Sequence, residues 1–520
     1  MSFRSKLRSL RFVWIDLLAL ALSLSGVLLA HWVTEHIFEA VPHIEDEMAY
    51  VWQARVMARG KLTLPSPPHE KAFLVPFVVD YQGQRFGKYP PGWPAMLSLG
   101  VRLDMRSWVN PLLAGLSLWL IYRLGQRLFG NVVGLLSLLL TLTSPFFWMN
   151  SGSLLSHPFG LFLTLAFVLA WLHLFQDTEQ EEHLPKGLVF WIGVLSLGLL
   201  ALTRPLTAIG VALPFVFHAL WLFWRGDRAT RRRLIAFALI TAAISALFFL
   251  WQYAVSGNPL LNPYTLWWEY DRVGFGPGYG RAEGGHSLHQ AWINLKYSLL
   301  FGRHDLFGWG GYSWTLMPFG LIAMLWKRHW KALPAVFVLP ALLFVYLFYW
   351  IGSALFGPRY YFEGLASAVL LSAVGFAWLA GLPMLPREAY LSQPGWRQVR
   401  RLLATALLAL AIAANLLFYT PIRLAGMVGL YGVTADRLRP FLTEQAQALT
   451  PALVIVHPEH WTEYGALLEL SSPFLDSPFL VVRSLGPNTD QALADSFSER
   501  NIIHYYPKDP YRFFLVRVRE

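Results

Sequence analysis

Residues 12 to 33 read FVWIDLLALALSLSGVLLAHWV, an apolar run long enough to cross a bilayer, since a membrane-spanning helix needs about 20 such residues. Four basic residues precede this run, Arg4, Lys6, Arg8 and Arg11, and no clear small-residue cleavage site follows it. The run is therefore predicted to be an uncleaved first transmembrane helix rather than a signal peptide.

The composition also indicates a membrane protein. Hydrophobic residues make up 55% of the 520-residue chain and charged residues 14%, whereas about 25% charged residues is usual in soluble proteins. The net charge of +11 comes from short basic clusters between apolar runs, which is typical of cytoplasmic loops and argues against nucleic-acid binding. Cysteine is absent, which excludes disulfides, thiol catalysis and cysteine-bound metal.

Further apolar segments bring the predicted total to about eleven transmembrane helices, so the fold is expected to be mainly α and polytopic. The additional segments lie at about 107–125, 131–149, 157–175, 188–204, 206–224, 234–254, 314–326, 333–351, 362–381 and 402–419. A cytoplasmic N-terminus places most of the Lys/Arg clusters inside, including Arg123/Arg127 and the run from Arg225 to Arg233. The long loops 34–106 and 255–313 then lie outside.

The last hundred residues differ in character from the rest. Strand-length apolar runs occur at Ala452–Val456, Phe479–Val482 and Phe513–Val516, with a helical pattern near 489–500. The chain is therefore predicted to have two domains, a transmembrane domain at 1–420 and a small extracytoplasmic α/β domain at 421–520.

An acidic cluster, Glu45-Asp46-Glu47, lies in the first outer loop within the stretch HIEDEMAY, residues 43 to 50. Acidic residues in a first helical turn are favoured by the helix dipole, so a solvated helix start is one interpretation. The other is a general base, a metal ligand, or both.

Four more sites carry groups that suit a lipid-phosphate or sugar substrate. Lys88, in RFGKYPPGWP (residues 85 to 94), is either a snorkelling lysine in a rigid turn or a cation for a phosphate. Tyr270, in NPYTLWWEYDR (262 to 272), suits either sugar stacking or an interfacial aromatic belt. Arg204 lies at one outer membrane boundary, and Arg359 with Tyr360 at another, where an arginine often contacts head groups or pairs with an acid.

The order of these motifs resembles the GT-C membrane glycosyltransferases, and most closely the bacterial protein O-mannosyltransferase and aminoarabinose-transferase group. The resemblance covers about 1–420. The matching residues are Asp46, Glu47 and Tyr50 for the acidic motif, Lys88, Pro90 and Pro91 for the lysine–proline motif, and Arg359 to Glu363 for the late arginine–tyrosine element. The lysine–proline motif departs from the family pattern, because Tyr89 is inserted after the lysine.

The resemblance implies transfer of a hexose or pentose from a polyprenyl-phosphate-linked donor to an acceptor hydroxyl, with inversion at the anomeric carbon. Asp46 would be the general base, and Glu47 would orient the acceptor or bind a cation. Lys88 and Arg359, with Arg204 and Tyr360, would bind the lipid phosphate. Glu45 has no counterpart and is expected to be solvated.

The same resemblance sets the expected partners and location. The partners are the lipid-linked donor, membrane lipid, and an acceptor that is a glycan, a lipid or a protein. The location is the plasma or inner membrane, and the role belongs to the cell envelope. No cofactor is implied with certainty, and a divalent cation stays open. The competing hypothesis is a transporter or flippase for a lipid-linked or polar substrate, which predicts charges deep within several helices.

Overall fold

The computed structural model describes residues 3–176, 185–386, 388 and 395–519, and 65% of the structure is helical. The first part of the chain contains α1 (Phe3–His36), α2 (Glu45–Ala58), α3 (Gly92–Arg102), α4 (Val109–Phe129), α5 (Asn131–Leu142), α6 (Pro145–Ser151), α7 (His157–Phe175), α8 (Lys186–Thr203), α9 (Pro205–Arg225) and α10 (Arg228–Ser256). It continues with α11 (Tyr264–Trp267), α12 (Leu288–Asp305), α13 (Leu316–Trp326), α14 (Leu333–Val336), α15 (Val338–Val345), α16 (Leu365–Ala380), α17 (Trp396–Ala414) and α18 (Thr420–Ala425).

The remaining elements are three short helices and seven strands. The helices are α19 (Glu444–Gln447), α20 (Trp461–Gly465) and α21 (Pro487–Ser496). The strands are β1 (Leu64–Pro65), β2 (Val78–Tyr81), β3 (Gln84–Gly87), β4 (Ala452–Val456), β5 (Phe479–Arg483), β6 (Asn501–Tyr505) and β7 (Phe513–Arg517).

Within the described residues, eight helical segments are long and apolar enough to cross a membrane, by length and composition. They are Trp14–His36, His157–Phe175, Lys186–Thr203, Pro205–Arg225, Arg228–Ser256, Trp330–Phe348, Arg359–Ala380 and Trp396–Gly432. A bent pair, α5 and α6, makes a ninth if it is one span. The protein is thus a multi-pass membrane protein of mainly α-helical fold, as the sequence predicts.

The predicted total of about eleven is higher because it counts three segments that differ from a simple long span. The segment at 107–125 forms α4, whose last turns carry Arg123 and Arg127. The segment at 131–149 is the pair α5 and α6, which meet at 64°. The segment at 314–326 forms α13, which has only 11 residues. The bend has a local cause, because Ser144 caps α6 and Pro145 occupies its first turn.

The first outer loop folds into α2, a three-stranded antiparallel sheet and α3. The sheet order is β1-β3-β2, and Val78 pairs with Gly87 at the end of β3. The next residue, Lys88, donates its backbone N–H to the Phe77 carbonyl at 2.9 Å. This hairpin therefore fixes the position of Lys88 beside α2, which packs against α3.

The C-terminal region is a four-stranded sheet of order β5-β4-β6-β7, in which β4, β5 and β6 are parallel and β7 is antiparallel. All of β4 is buried, because one face packs with Met48 of α2 and the other with Leu493 of α21. The predicted strands and helix are present, but the sequence reading missed β6, whose apolar centre Ile502–Ile503 is too short to mark a strand.

Candidate active site

Three motifs that are far apart in the sequence meet at the carboxylate of Asp46. Asp46 lies in the first turn of α2, and its side chain is 24% exposed. Its Oδ1 accepts a hydrogen bond from the Tyr89 hydroxyl at 2.6 Å, and its Oδ2 lies 3.4 Å from Nη2 of Arg359. Burial raises the pKa of Tyr89 well above its usual value, and so does the charge of Asp46, so the phenol stays protonated and donates. The site thus holds a carboxylate that is paired but still accessible.

Lys88 is buried next to this carboxylate and is paired with an acid from the second outer loop. Its Nζ lies 3.2 Å from Oδ2 of Asp271, and both side chains are no more than 3% exposed. The other oxygen of Asp271 accepts hydrogen bonds from the Tyr349 hydroxyl at 2.9 Å and from Nε1 of Trp350 at 3.0 Å. Burial lowers the pKa of Lys88, while the charges of Asp271 and Asp46 raise it. Asp271 is therefore the group that most opposes the lowering of the Lys88 pKa by burial.

Aromatic rings enclose the Lys88 ammonium on its remaining sides. The rings within 6 Å of Nζ belong to Phe77 at 3.7 Å, Trp268 at 4.7 Å, Tyr264 at 5.0 Å and Tyr89 at 5.4 Å. Such rings attract a cation through their negative faces, and the attraction is stronger away from water. The aromatic rings therefore favour the charged form of Lys88, although they surround it with largely apolar groups.

A second cationic group is built around Arg204, between α8 and α9. Its Nε lies 3.1 Å from Oε1 of Glu363, and its two terminal nitrogens donate to Ser156 at 3.2 Å and to the Tyr346 hydroxyl at 3.1 Å. Ser156 also contacts the hydroxyl of Tyr50, at 3.4 Å. Tyr50 lies in the electrostatic field of Asp46, Arg204 and Arg359 together, so the two groups are neighbours.

Tyr360 and Tyr270 occupy the edges of this region. Tyr360 stacks on Tyr346, with ring centroids 5.2 Å apart, and so joins the Arg204 group. The ring of Tyr270 stacks 5.9 Å from that of Trp268, and its hydroxyl accepts a hydrogen bond from Arg281 at 3.0 Å. Tyr270 is therefore connected to Lys88 through Trp268, and also through Trp350, whose indole N–H donates to Asp271.

Glu47 and Glu45 have surroundings that the sequence does not predict. Within the described part of the chain, the hydrogen bonds to the Glu47 carboxylate come from backbone amides, those of His43 at 2.8 Å, Ile44 at 3.4 Å and Leu154 at 2.7 Å. Burial raises the pKa of Glu47 to about 7. Glu45 is partly buried rather than fully solvated, and burial raises its pKa too. Glu47 thus ties the start of α2 to the loop before α7.

Sequence reasoning missed Asp271, Tyr346 and Tyr349, which complete the two cationic groups. Asp271 stands next to Tyr270 in a stretch that the sequence marks as functional, but it is 183 residues from Lys88. Tyr346 and Tyr349 lie at the end of an apolar span, where they read as interfacial aromatics.

Solved structures with a similar overall fold include two of ArnT from Cupriavidus metallidurans. The structure bound to undecaprenyl phosphate has a TM-score of 0.55 at 16% identity, over 93% of this chain and 92% of that one. The apo structure has a TM-score of 0.54 at 17% identity, over 96% and 93%. This chain has the GT-C fold. The resemblance seen in the motifs is confirmed at the level of the fold.

A more distant similarity is to the apo oligosaccharyltransferase of Archaeoglobus fulgidus, with a TM-score of 0.48 at 12% identity, over 86% of this chain and 63% of that one. No protein-family model matches the sequence, and no curated protein does. A GT-C fold does not by itself determine an activity, so the function rests on the residues of the site.

Proposed function

We propose that this protein is a membrane glycosyltransferase that moves a hexose or pentose from a polyprenyl-phosphate-linked donor to an acceptor hydroxyl. The observation that carries the proposal is the paired Asp46 carboxylate beside two cations, the buried Lys88 and the partly buried Arg359, within a GT-C fold. A base next to cations suits transfer from a phosphate leaving group. The similar ArnT structure is bound to undecaprenyl phosphate, which belongs to the class of lipid phosphate that the proposed donor would release.

In the proposed reaction, Asp46 accepts the proton of the acceptor hydroxyl as its oxygen attacks the anomeric carbon. The bond from that carbon to the phosphate oxygen breaks, and the departing lipid phosphate keeps the electron pair. A single displacement of this kind inverts the configuration at the anomeric carbon. Tyr89 and Arg359 now occupy one oxygen each of Asp46, which orients the carboxylate without removing all of its lone pairs.

The cations would stabilise the charge that develops on the leaving phosphate. Lys88 has three N–H donors and spends one on Asp271. Because its side chain is 3% exposed, a phosphate oxygen would reach the other donors only if the surrounding aromatic rings moved aside. Arg359 and Arg204 both lie near Tyr50 and would contact the same phosphate or the sugar. Glu47 is expected from the resemblance to orient the acceptor or bind a cation. Because its carboxylate is bonded to backbone amides, we propose instead that it holds the first turn of α2 and so positions Asp46.

We further propose that the site faces the outside of the inner or plasma membrane, with the N-terminus in the cytoplasm. The C-terminal region at 421–520 would be an outer domain. The side chain of Glu469 in that region lies 2.8 Å from Arg55 and 3.0 Å from Arg106, which belong to the first outer loop. Segments in direct contact lie on the same side of the membrane, so the first loop and the C-terminal region lie on one side. The Lys/Arg distribution favours the outer side for both.

The decisive experiment compares wild type with Asp46→Asn, using purified protein and a panel of polyprenyl-phosphate sugars. If Asp46 is the base, the variant should transfer sugar about 10²- to 10⁴-fold more slowly. Asp104→Asn is a matched control, because Asp104 is exposed on the first outer loop in a left-handed conformation that asparagine tolerates.

Equal rates for Asp46→Asn and wild type would remove Asp46 as the base. The same preparation tests the rival hypothesis of a transporter or flippase. In sealed vesicles, that hypothesis predicts movement of the lipid-linked sugar across the bilayer without transfer to any acceptor, and without dependence on Asp46.

A further inference from the structure

A group of three potential metal ligands lies in the C-terminal sheet region, away from the proposed active site. The group consists of His457, Asp490 and His504. Each offers one ligand atom, and these atoms all lie within 4.8 Å of one another. No other set of three histidine, aspartate or glutamate side chains this close together was found in the residues that the structure describes.

The strand pattern explains why the two histidines face the same way. Side chains along a strand alternate between faces, and Leu453 and Ile455 of β4 face α21. His457 follows two residues later on the same face. In β6, Ile502 also faces α21, which puts His504 on that face as well. Both histidines therefore point towards the helix that carries Asp490.

The two histidines meet at the carboxyl ends of neighbouring parallel strands. β4 and β6 pair in parallel, with Ile455 opposite His504, and His457 directly follows β4. The two imidazoles therefore lie side by side at this edge of the sheet.

The side chains are held in position and remain partly accessible. Nε2 of His457 lies 2.7 Å from Nδ1 of His504, and the two rings are nearly parallel. Asp490 is 5% exposed, and its carboxylate accepts hydrogen bonds from the Ser484 hydroxyl and the Leu485 backbone N–H. A carboxylate has about four lone-pair positions, so these two bonds leave room for a metal bond. The histidines are half-buried, which leaves a route from solvent.

The two ring nitrogens are 2.7 Å apart, and their lone pairs would repel each other at this distance. They must therefore share either the proton of a hydrogen bond or a metal ion. Two nitrogens on one tetrahedral zinc, each about 2.0–2.1 Å from it, lie about 3.3 Å apart, so the rings would move apart by only about half an ångström. Imidazole and carboxylate together suit Zn²⁺ better than Mg²⁺ or Ca²⁺, which prefer oxygen ligands.

We propose that His457, His504 and Asp490 form a Zn²⁺ site, with the fourth position open to water. The ion would join His457, which follows β4, to His504 of β6 and Asp490 of α21 at the carboxyl-terminal end of the two central strands. At metal sites, hydrogen bonds from surrounding groups hold the ligands in orientation. Here the hydrogen bonds from Ser484 and Leu485 would hold the Asp490 carboxylate in this way. This site is independent of sugar transfer, so its test does not depend on the proposed activity.

The test is zinc binding to the full-length protein, purified without a polyhistidine tag and stripped with a chelator. Equilibrium dialysis with Zn²⁺ alone should show one more ion per wild-type chain than per chain of the double variant His457→Gln, His504→Gln. Each single variant should weaken binding by at least the roughly 10- to 100-fold that loss of an outer-sphere partner costs at other metal sites. His460→Gln is the matched control, because His460 is exposed in the same region, and it should bind zinc as wild type does.

Equal zinc binding by wild type and the double variant would overturn the proposal, as would no binding by wild type at micromolar zinc. If the double variant does not fold, X-ray absorption of zinc-loaded wild type decides the matter. Scattering from about two imidazoles would support the site, whereas a shell of oxygen ligands alone would place the ion at carboxylates elsewhere and refute it.

Discussion

The buried pair Lys88–Asp271 gives the sharpest quantitative prediction. Three variants break it in different ways: Lys88→Met, Asp271→Asn, and the two together. The two charges lie 3.2 Å apart with side chains no more than 3% exposed. At an effective dielectric constant of about 20, their attraction is about 5 kcal/mol. Removing one partner of a buried pair typically costs about 3–5 kcal/mol, because the other charge is left buried alone.

The two single variants should differ. After Lys88→Met, the Asp271 carboxylate still accepts two hydrogen bonds, from Tyr349 and Trp350, so this loss should fall near 3 kcal/mol. After Asp271→Asn, the ammonium keeps mainly aromatic neighbours, so the loss should fall near 5 kcal/mol. The double variant leaves no buried charge at the pair. Its loss in the free energy of unfolding should therefore be smaller than the sum of the two single losses, by at least about 2 kcal/mol.

The Asp271→Asn loss should also depend on pH. Burial already lowers the pKa of Lys88 below 10.5, and removal of Asp271 lowers it further. The unfolded chain then binds more protons than the folded protein between that lowered pKa and 10.5. Stability of the variant should therefore rise with pH in this window, by up to about 1.4 kcal/mol per pH unit.

The assay is reversible unfolding in mixed micelles by titration with a denaturing detergent, followed by tryptophan fluorescence. Arg59→Met supplies a matched control, because it breaks the Arg59–Asp476 pair, whose side chains are about half exposed and which should contribute no more than about 1 kcal/mol. The reasoning is refuted if both single variants at the buried pair lose less than about 1 kcal/mol and their effects add.

Two further predictions concern carboxylates that hold the outer loop in place. Burial raises the pKa of Glu47 to about 7, so Glu47 should lower wild-type stability by about 3 kcal/mol as pH rises from about 4.5 to 7, and Glu47→Gln should remove this contribution in the same unfolding assay. A pH profile unchanged in Glu47→Gln would contradict the assignment. Glu469→Gln should weaken the contacts to Arg55 and Arg106 and speed proteolysis of the C-terminal region, whereas the exposed control Glu444→Gln should not. Equal cleavage rates for both variants would show that Glu469 does not hold the two parts together.

The sequence by itself determined the membrane character and the fold class of this protein. The reason is that apolar runs and strand patterns are local, and a bilayer imposes a fixed length on the segments that cross it. β4 and β7 are strands where the sequence predicts them, from the apolar runs of strand length at Ala452–Val456 and Phe513–Val516. Motif order also identified the region of Asp46 and Lys88, since residue type and topology together limit where polar chemistry can lie.

Only the tertiary structure decided which groups are partners. Asp271 is 183 residues from Lys88, and Leu154, whose amide binds Glu47, is 107 residues from it. His457 and His504 likewise meet across 47 residues. Spacing along the chain carries no information about such contacts, because they depend on how helices and strands pack. The surroundings of a side chain also depend on packing. Asp46 and Glu47 are adjacent acids in the sequence, but Asp46 lies beside Arg359 and is partly exposed, whereas Glu47 is buried and accepts hydrogen bonds from three backbone amides.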